Sequence, residues 1–363
     1  MSRNSYYYNI KDTIKKYPDC WCYIIVGGRN TGKTYSTLKA TIDDNFKFIF
    51  VKRTDIDVDT LCSEGSANKK RLIELEYDLS PFADLNDDLG LNVRARKIVK
   101  GLGGFWDFDE ENEPIDTKPR GYIFSLNKVG KYKGFGGLRE CKWLIFDEFI
   151  AQPWERVSRE EGNQLMELYK TVSRDRQHRG QPALKLICLA NANDISNPIF
   201  NTLEITDDVS NMIFEGIHQY ETRGICIELV EDNPDFYEKE KETEIYKAMH
   251  DTVWGRMAFD NEFSRNDFTP IKKHFNLKNA TPVFSVKFQK EIFYTWKTPD
   301  GIYLTCFSKH DKNFYNLDIE GDRRRLYYRQ LLNIKDAVMA GRAFFKTYRM
   351  YDLYFHFKEF YNI

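Results

Sequence analysis

Short apolar runs recur along the first 190 residues, each of a length suited to a strand buried on both faces. Residues 21–26, 46–53, 121–126, 142–146 and 184–190 are rich in Phe, Ile, Leu, Val and Trp and show little polar alternation. Strands of that kind, separated by helical stretches, predict a mostly parallel sheet covered by helices on both sides. A helix predicted from about residue 34 to 41 joins the first two runs into a β-α-β unit. Residues 93–100 differ, because Val93, Ala95 and Val99 alternate with basic residues, which predicts an antiparallel edge strand. Leu165, Leu168 and Tyr169 lie at helical spacing within 159–172. Further on, residues 282–288 and 301–307 read as paired strands. The aromatic stretch 352–361 has the spacing of a packed amphipathic terminal helix rather than of exposed base-stacking rings. The whole predicts an α/β chain in three parts: residues 1–210, a short linker or lid over 211–265, and an α+β domain over 266–363.

The chemistry is concentrated where two of these runs end. After the first come Gly27, Gly28, Arg29, Asn30, Thr31, Gly32, Lys33 and Thr34, which fit the phosphate-binding pattern G-x-x-x-x-G-K-[ST] in its required place between a strand and a helix. In such a loop, backbone N–H groups wrap phosphates, the lysine ammonium reaches the β and γ oxygens, and the threonine hydroxyl binds Mg²⁺ at a helix N-terminus. The run at 142–146 ends in Asp147 and Glu148. Asp147 would hold Mg²⁺ through water, and Glu148 would orient and deprotonate an attacking water. Glu after Asp favours an ATPase over a GTPase. The 114-residue separation of Lys33 from Asp147 leaves room for a further strand, as in the additional-strand catalytic-glutamate class. The fifth run ends in Asn191, which either senses a γ-phosphate or simply forms a turn. Arg174 and Arg176 follow the 159–172 helix. Residues two apart cannot face the same way on a helix, so they compete for any role at a neighbouring subunit's γ-phosphate, against the plain alternative of a solvated basic helix end.

Composition adds two constraints. Hydrophobic residues make up 42% and aromatic residues 15% of the 363, enough for substantial cores. No apolar stretch approaches the roughly 18 residues that a membrane span needs, and the first 16 residues carry no apolar leader, so a cytoplasmic protein is expected. The seven cysteines are scattered without metal-ligand spacing, which predicts buried reduced thiols. Overall net charge is -1, but residues 271–363 carry 17 Lys and Arg against 9 Asp and Glu, a net of +8 that leaves -9 for residues 1–270. A basic end on a nucleotide-binding chain points to an anionic partner such as DNA or RNA, or to an ordinary solvated face.

The succession GGRNTGKT, FIFVKR, WLIFDEFI, TVSRDR and LICLANAN, followed by VWGRMAFDNEF and the strands PVFSVKF and GIYLTCF, resembles the genome-packaging (encapsidation) ATPases of small, short-tailed, protein-primed phages. The resemblance covers nearly the whole chain. It implies a homo-oligomeric ring, a pentamer, docked through a packaging RNA on the portal, or connector, of a prohead in the host cytoplasm, where it pulls double-stranded DNA inward using ATP and Mg²⁺. It also implies that Lys33 and Thr34 serve phosphate and Mg²⁺, that Asp147 and Glu148 form the Walker B pair, and that Arg174 is an arginine finger acting in trans. Arg29, inside the loop, is placed to sense the γ-phosphate in cis.

The resemblance further implies an RNase H-like C-terminal domain without nuclease activity. The residues offer their own check, since a two-metal nuclease needs an acid on its first central strand and residues 282–288 contain none. Asp300 lies in a turn, where Asp-Gly is expected for backbone reasons. Lys69, Lys70, Arg71 and Lys133, in polar or Gly-rich loops, are candidates for non-specific contact with DNA phosphates. Two other classes fit less well: a different ring ATPase acting on nucleic acid, such as a helicase or an assembly or mobilisation ATPase, and a nucleotide-gated scaffold without turnover, against which Glu148 argues.

Overall fold

The computed structural model describes residues 7–62, 79–132, 136–152, 154–155, 157–231, 234–252, 255, 263 and 266–361. The chain forms two compact units, one of Met1–Leu203 with Met212–Ser264 and one of Glu204–Asn211 with Arg265–Ile363.

The first unit is built on a nine-stranded sheet. Its centre is parallel: β5 (Gly121–Ser125), β2 (Lys47–Lys52), β6 (Cys141–Asp147), β7 (Lys185–Asn191), β1 (Cys22–Gly27) and β9 (Ile225–Val230) lie side by side in that order. All six residues of β1 and all five of β5 are buried, as expected of strands covered on both faces. Phe48, Phe50, Phe82, Phe105, Ile123, Ile145 and Ile187 join one core, and burying each such side chain contributes about 1.5–3 kcal/mol. The edges are antiparallel. β3 (Val93–Val99) pairs with β4 (Leu102–Asp107) on β5, so the alternating stretch is the edge strand its pattern predicts. At the other edge β8 (Gln219–Thr222) pairs antiparallel with β9. These last two strands correct the reading of 211–265 as a linker. β9 pairs in register with the phosphate-loop strand, and its apolar pattern, Ile225, Cys226, Ile227, Leu229 and Val230, is that of a buried strand.

Helices α1 (Ile10–Lys16), α2 (Lys33–Asp43), α3 (Asp55–Leu61), α4 (Ala83–Leu89) and α5 (Glu161–Ser173) belong to the same unit. α3 begins with a reciprocal capping box, in which the Thr54 hydroxyl accepts from Asp57 N and the Asp57 carboxylate accepts from Thr54 N. The seven cysteines are all buried and free, and no helix among the described residues is long and apolar enough to cross a membrane.

The second unit carries a five-stranded sheet, β13-β10-β11-β12-β14. β10 (Thr281–Phe288) and β12 (Tyr303–Cys306) are not partners, contrary to the sequence reading. β11 (Glu291–Lys297) lies between them and pairs antiparallel with both. Its alternation is hidden because Phe293, Tyr294 and Thr295 are buried in succession. Asp300 does lie in a tight turn, between β11 and β12, closed by Gly301 N donating to the Thr298 carbonyl at 2.9 Å. β13 (Phe314–Asn316) and β14 (Ala343–Phe345) add parallel to β10 and β12. The terminal aromatic stretch is packed, as its spacing predicts, with Tyr351, Leu353, Tyr354 and Phe357 buried. It belongs to two helices, Tyr348–Phe355 and Phe357–Tyr361, that break at His356.

Candidate functional site

β1 and β7 end level with one another, and β6 ends two residues short of them. Gly27 stands beside Asn191, and Leu189 beside Asp147, so the phosphate loop, the acidic pair and Asn191 share the carboxyl edge of the sheet, where ligands bind in open parallel sheets. β7 lies between the loop strand β1 and the acidic strand β6. The two conformationally demanding positions of the loop are Asn30, at φ 60°, and Gly32, at φ 83°, residue types that tolerate the left-handed region. Gly27 has a different reason. A Cβ there would sit 2.8 Å from the Val230 Cβ of β9, so the loop's first glycine lets the two strands approach.

Lys33 is buried inside the loop and donates to the Gly28 carbonyl at 2.6 Å, the Thr31 hydroxyl at 3.0 Å and the Gly27 carbonyl at 3.2 Å. Its ammonium also lies 3.5 Å from Asn191 Oδ1, which brings Asn191 to the loop. Thr34 donates its hydroxyl proton to Asp147 Oδ1 at 2.9 Å. These are two hard oxygen donors facing each other, one from the start of α2 and one from the end of β6, the donor set that suits Mg²⁺ alongside phosphate oxygens. Glu148 follows in the left-handed region at φ 58°, and Phe149 N returns to the sheet by donating to the Leu189 carbonyl at 3.1 Å. The chain therefore bulges at Glu148, and its side chain, 63% exposed, leaves the sheet edge beside Asp147.

Two residues without a role in the sequence reading complete this geometry. Lys52, at the end of β2, places its ammonium 3.0 Å from Asp147 Oδ2 and 3.5 Å from Glu148 Oε2. Burial alone would lower its pKa, but the two carboxylates more than reverse this, so it stays charged. Arg53 points the other way and grips the segment after β6. It donates to the Glu148 and Phe149 carbonyls at 3.0 and 3.1 Å, to Glu161 at 2.6 Å and to Glu155 at 3.1 Å. Both lie in the stretch FIFVKR, and the available signal was a pair of bases at the mouth of a buried strand adjoining the acidic one.

The arginines after α5 separate cleanly. Arg176 is buried, and its guanidinium donates to the Arg139 carbonyl at 2.9 Å and to the Cys141 carbonyl, so it fastens the start of β6. Arg179 is paired with Asp175 at 2.7 Å. Arg174 caps α5 with φ 43° and ψ -127°, and its Nε donates to the Thr171 carbonyl at 3.0 Å. Arg29 is exposed at the loop tip, 3.4 Å from Gln152 Oε1. Lys69, Lys70, Arg71 and Lys133 lie outside the described residues.

A large, mostly parallel sheet with a Gly-rich loop between strand and helix, an Asp-Glu pair on a strand one removed and a polar residue on the strand between them define a mixed α/β protein that carries the P-loop sequence pattern. The chain belongs to the podovirus DNA encapsidation protein (Gp16) family, whose model matches residues 115–356, a span that includes Asp147, Glu148, Arg174 and Asn191. It is 30% identical over 304 residues to the DNA packaging protein of Bacillus phage B103, covering 81% of this chain and 80% of that one. The DNA packaging protein of Bacillus phage phi29 is 23% identical over 301 residues, covering 81% and 77% respectively. A solved structure of the Phi-28 gp11 DNA packaging motor superposes with a TM-score of 0.61 over 98% of each chain at 17% identity, a likeness of fold.

Proposed function

We propose that this chain is the ATP-hydrolysing subunit of a motor that drives double-stranded DNA into a prohead. The observation that carries the reading is the meeting of Lys33, Thr34, Asp147, Glu148 and Asn191 at one sheet edge in a member of the encapsidation family. Lys33 binds the β and γ oxygens of ATP, and the loop N–H groups hold the remainder. Thr34 and Asp147 would hold Mg²⁺, which supplies charge neutralisation for phosphoryl transfer. Glu148 orients a water in line with the γ-phosphate and takes its proton, while Asn191 touches the same phosphate from the neighbouring strand. Arg174 acts on the site of the adjacent subunit in a ring, which we take to be a pentamer seated on the portal through a packaging RNA. The basic second unit, an RNase H-like domain turned to binding, and the lysines and arginine at 69–71 and 133 contact the polyanion. The antiparallel β10-β11-β12 meander with β13 parallel to β10 supports that fold reading, while β14 adds to the opposite edge.

The test is ATP turnover by the full chain with and without empty proheads and duplex DNA. Stimulation that needs both, with DNA becoming protected from nuclease, is expected. Stimulation by single-stranded nucleic acid alone would move the assignment to another ring ATPase, and binding without multiple turnover would move it to a nucleotide-gated scaffold.

A further inference from the structure

The loop that leaves β7 carries a second asparagine two residues beyond Asn191. Asn193 is only 1% exposed, yet its amide is not spent on its own loop. Its Nδ2 donates to the Ala151 carbonyl at 3.3 Å, 42 residues away on the segment that leaves β6. Its Oδ1 is buried and has no hydrogen-bond partner among the described residues. We propose that Asn193 is a positioning residue for hydrolysis: it holds the segment that follows Glu148 against the loop that carries Asn191, so that both meet the γ-phosphate in a fixed relation.

The inference rests on the ATPase reading, which gives Glu148 and Asn191 their common target. Two bonds fasten the stretch after Glu148 at its two ends. Phe149 N donates to the Leu189 carbonyl at 3.1 Å and Asn193 Nδ2 reaches Ala151, with Phe149 and Ile150 buried. Asn193 N also donates to the Asn191 carbonyl at 2.9 Å, which closes a three-residue turn over the buried Ala192 and ties the two asparagines together. Asn191 Oδ1 in turn lies 3.5 Å from the Lys33 ammonium. Arg53 holds the Glu148 and Phe149 carbonyls, and Asn193 extends that hold to Ala151.

The plain alternative is an asparagine that shapes the backbone around it. Asn86 and Asn197, which are also buried, do this with both ends of the amide. Asn86 donates to the Val93 carbonyl at 2.9 Å and accepts from Val93 N at 3.0 Å. Asn197 donates to the Asp194 carbonyl at 3.2 Å and accepts from Phe200 N at 3.0 Å. Asn193 differs on both counts. The Ala151 carbonyl decides which end of its amide turns that way, because only Nδ2 donates, so the unfilled atom is Oδ1. Burying that acceptor costs free energy that an apolar side chain of similar size would avoid. The amide's contribution is one directional bond between the two segments that bring Glu148 and Asn191 to the site.

Steady-state ATP turnover, ATP affinity and thermal midpoint of the full chain, measured on the same variants, test this. Asn193→Leu removes both the bond and the unfilled acceptor at similar volume. Its thermal midpoint should equal or exceed the parent's and its ATP affinity should stay within about twofold, while kcat falls about tenfold, the factor one hydrogen bond is worth when it acts on the transition state alone. Amide exchange over residues 149–152 should quicken. Asn193→Asp keeps the shape, but its carboxyl can donate to Ala151 only when protonated. Its kcat relative to the parent should therefore climb as pH falls from about 8 to 5.5, the range into which burial lifts a carboxyl. An Asn193→Leu protein that turns over like the parent, or one that loses ATP affinity and thermal midpoint along with kcat, overturns the positioning role and leaves the ATPase reading intact. So does an Asn193→Asp ratio that stays flat with pH. A parent chain that binds ATP without turnover overturns both.

Discussion

Glu148 owes its position to a backbone that few residues other than glycine adopt, and that bulge turns its side chain away from the strand that carries Asp147 one residue earlier. Glu148→Gln keeps the shape and removes the base, so ATP affinity should change by no more than a few-fold while turnover falls roughly 10²–10⁴-fold. Lys33→Ala should instead show its defect in ATP binding, since its ammonium sits inside the cradle. Wild-type turnover by the Glu148→Gln protein would sink the assignment of the base. A second residue-scale effect lies in the other unit. Burial pushes the Asp207 carboxyl up to about 6, against the opposing pull of Arg349 N, 2.9 Å away, and the Arg349 guanidinium. The folded state therefore holds this proton more tightly than the unfolded chain, whose value is near 3.9. The resulting stability is fully present below about pH 4 and is lost as pH rises through 6. Asp207→Asn should be near neutral at pH 4 and stabilising by roughly 2–3 kcal/mol at pH 7, read from urea midpoints of the full chain across that interval. A difference that stays flat from pH 4 to 7 would remove Asp207 as its source.

At the scale of elements, the last residue of β2 and the residue that follows it divide two tasks. Lys52 serves the carboxylates of Asp147 and Glu148, and Arg53 holds the segment after β6 by four hydrogen bonds to two carbonyls and two acids. Lysine cannot reproduce that fork. Arg53→Lys should therefore speed hydrogen exchange over residues 148–161 and lower turnover more than tenfold while ATP still binds. Arg53→Ala should cost about 3–5 kcal/mol of stability, because it strands the buried carboxylate of Glu161, whose pKa is raised chiefly by burial. Unchanged exchange in that segment would show that Arg53 does not hold it. These contacts also mark where sequence stopped being informative. β1, β2, β6 and β7 announce themselves as apolar runs, and the loop residues follow from a fixed spacing, because both signals are local. The partners of Lys52 and Arg53 lie about a hundred residues away on β6 and beyond, and no spacing connects them. Likewise the place of β11 between β10 and β12 depends on a third strand whose buried stretch, Phe293 to Thr295, suppresses the alternation that would have marked it. Nor does spacing show that Arg176, unlike Arg174, is buried and tied to the Arg139 and Cys141 carbonyls around the start of β6.

For the whole molecule, a ring in which Arg174 alone reaches the neighbour's site can be separated from completion within one subunit. Arg174→Ala removes a cation that acts on charge developing in the transition state, so each subunit should still bind ATP while hydrolysis falls by roughly 10³–10⁵. Arg29, at the tip of its own loop beside Gln152, is the cis alternative. Mixing decides between them. In a ring assembled from Arg174→Ala and Glu148→Gln subunits, some interfaces set the intact Glu148 of one subunit against the intact Arg174 of the next. Those sites should turn over, although neither variant does so alone. Activity should therefore rise to a maximum at intermediate mixing ratios and vanish at both ends. Rings shown to be mixed, for example by distinct tags co-purifying, that stay inactive at every ratio would rule out a finger acting in trans. The cation would then have to come from the same subunit, and Arg29→Ala should abolish hydrolysis with no rescue by any partner.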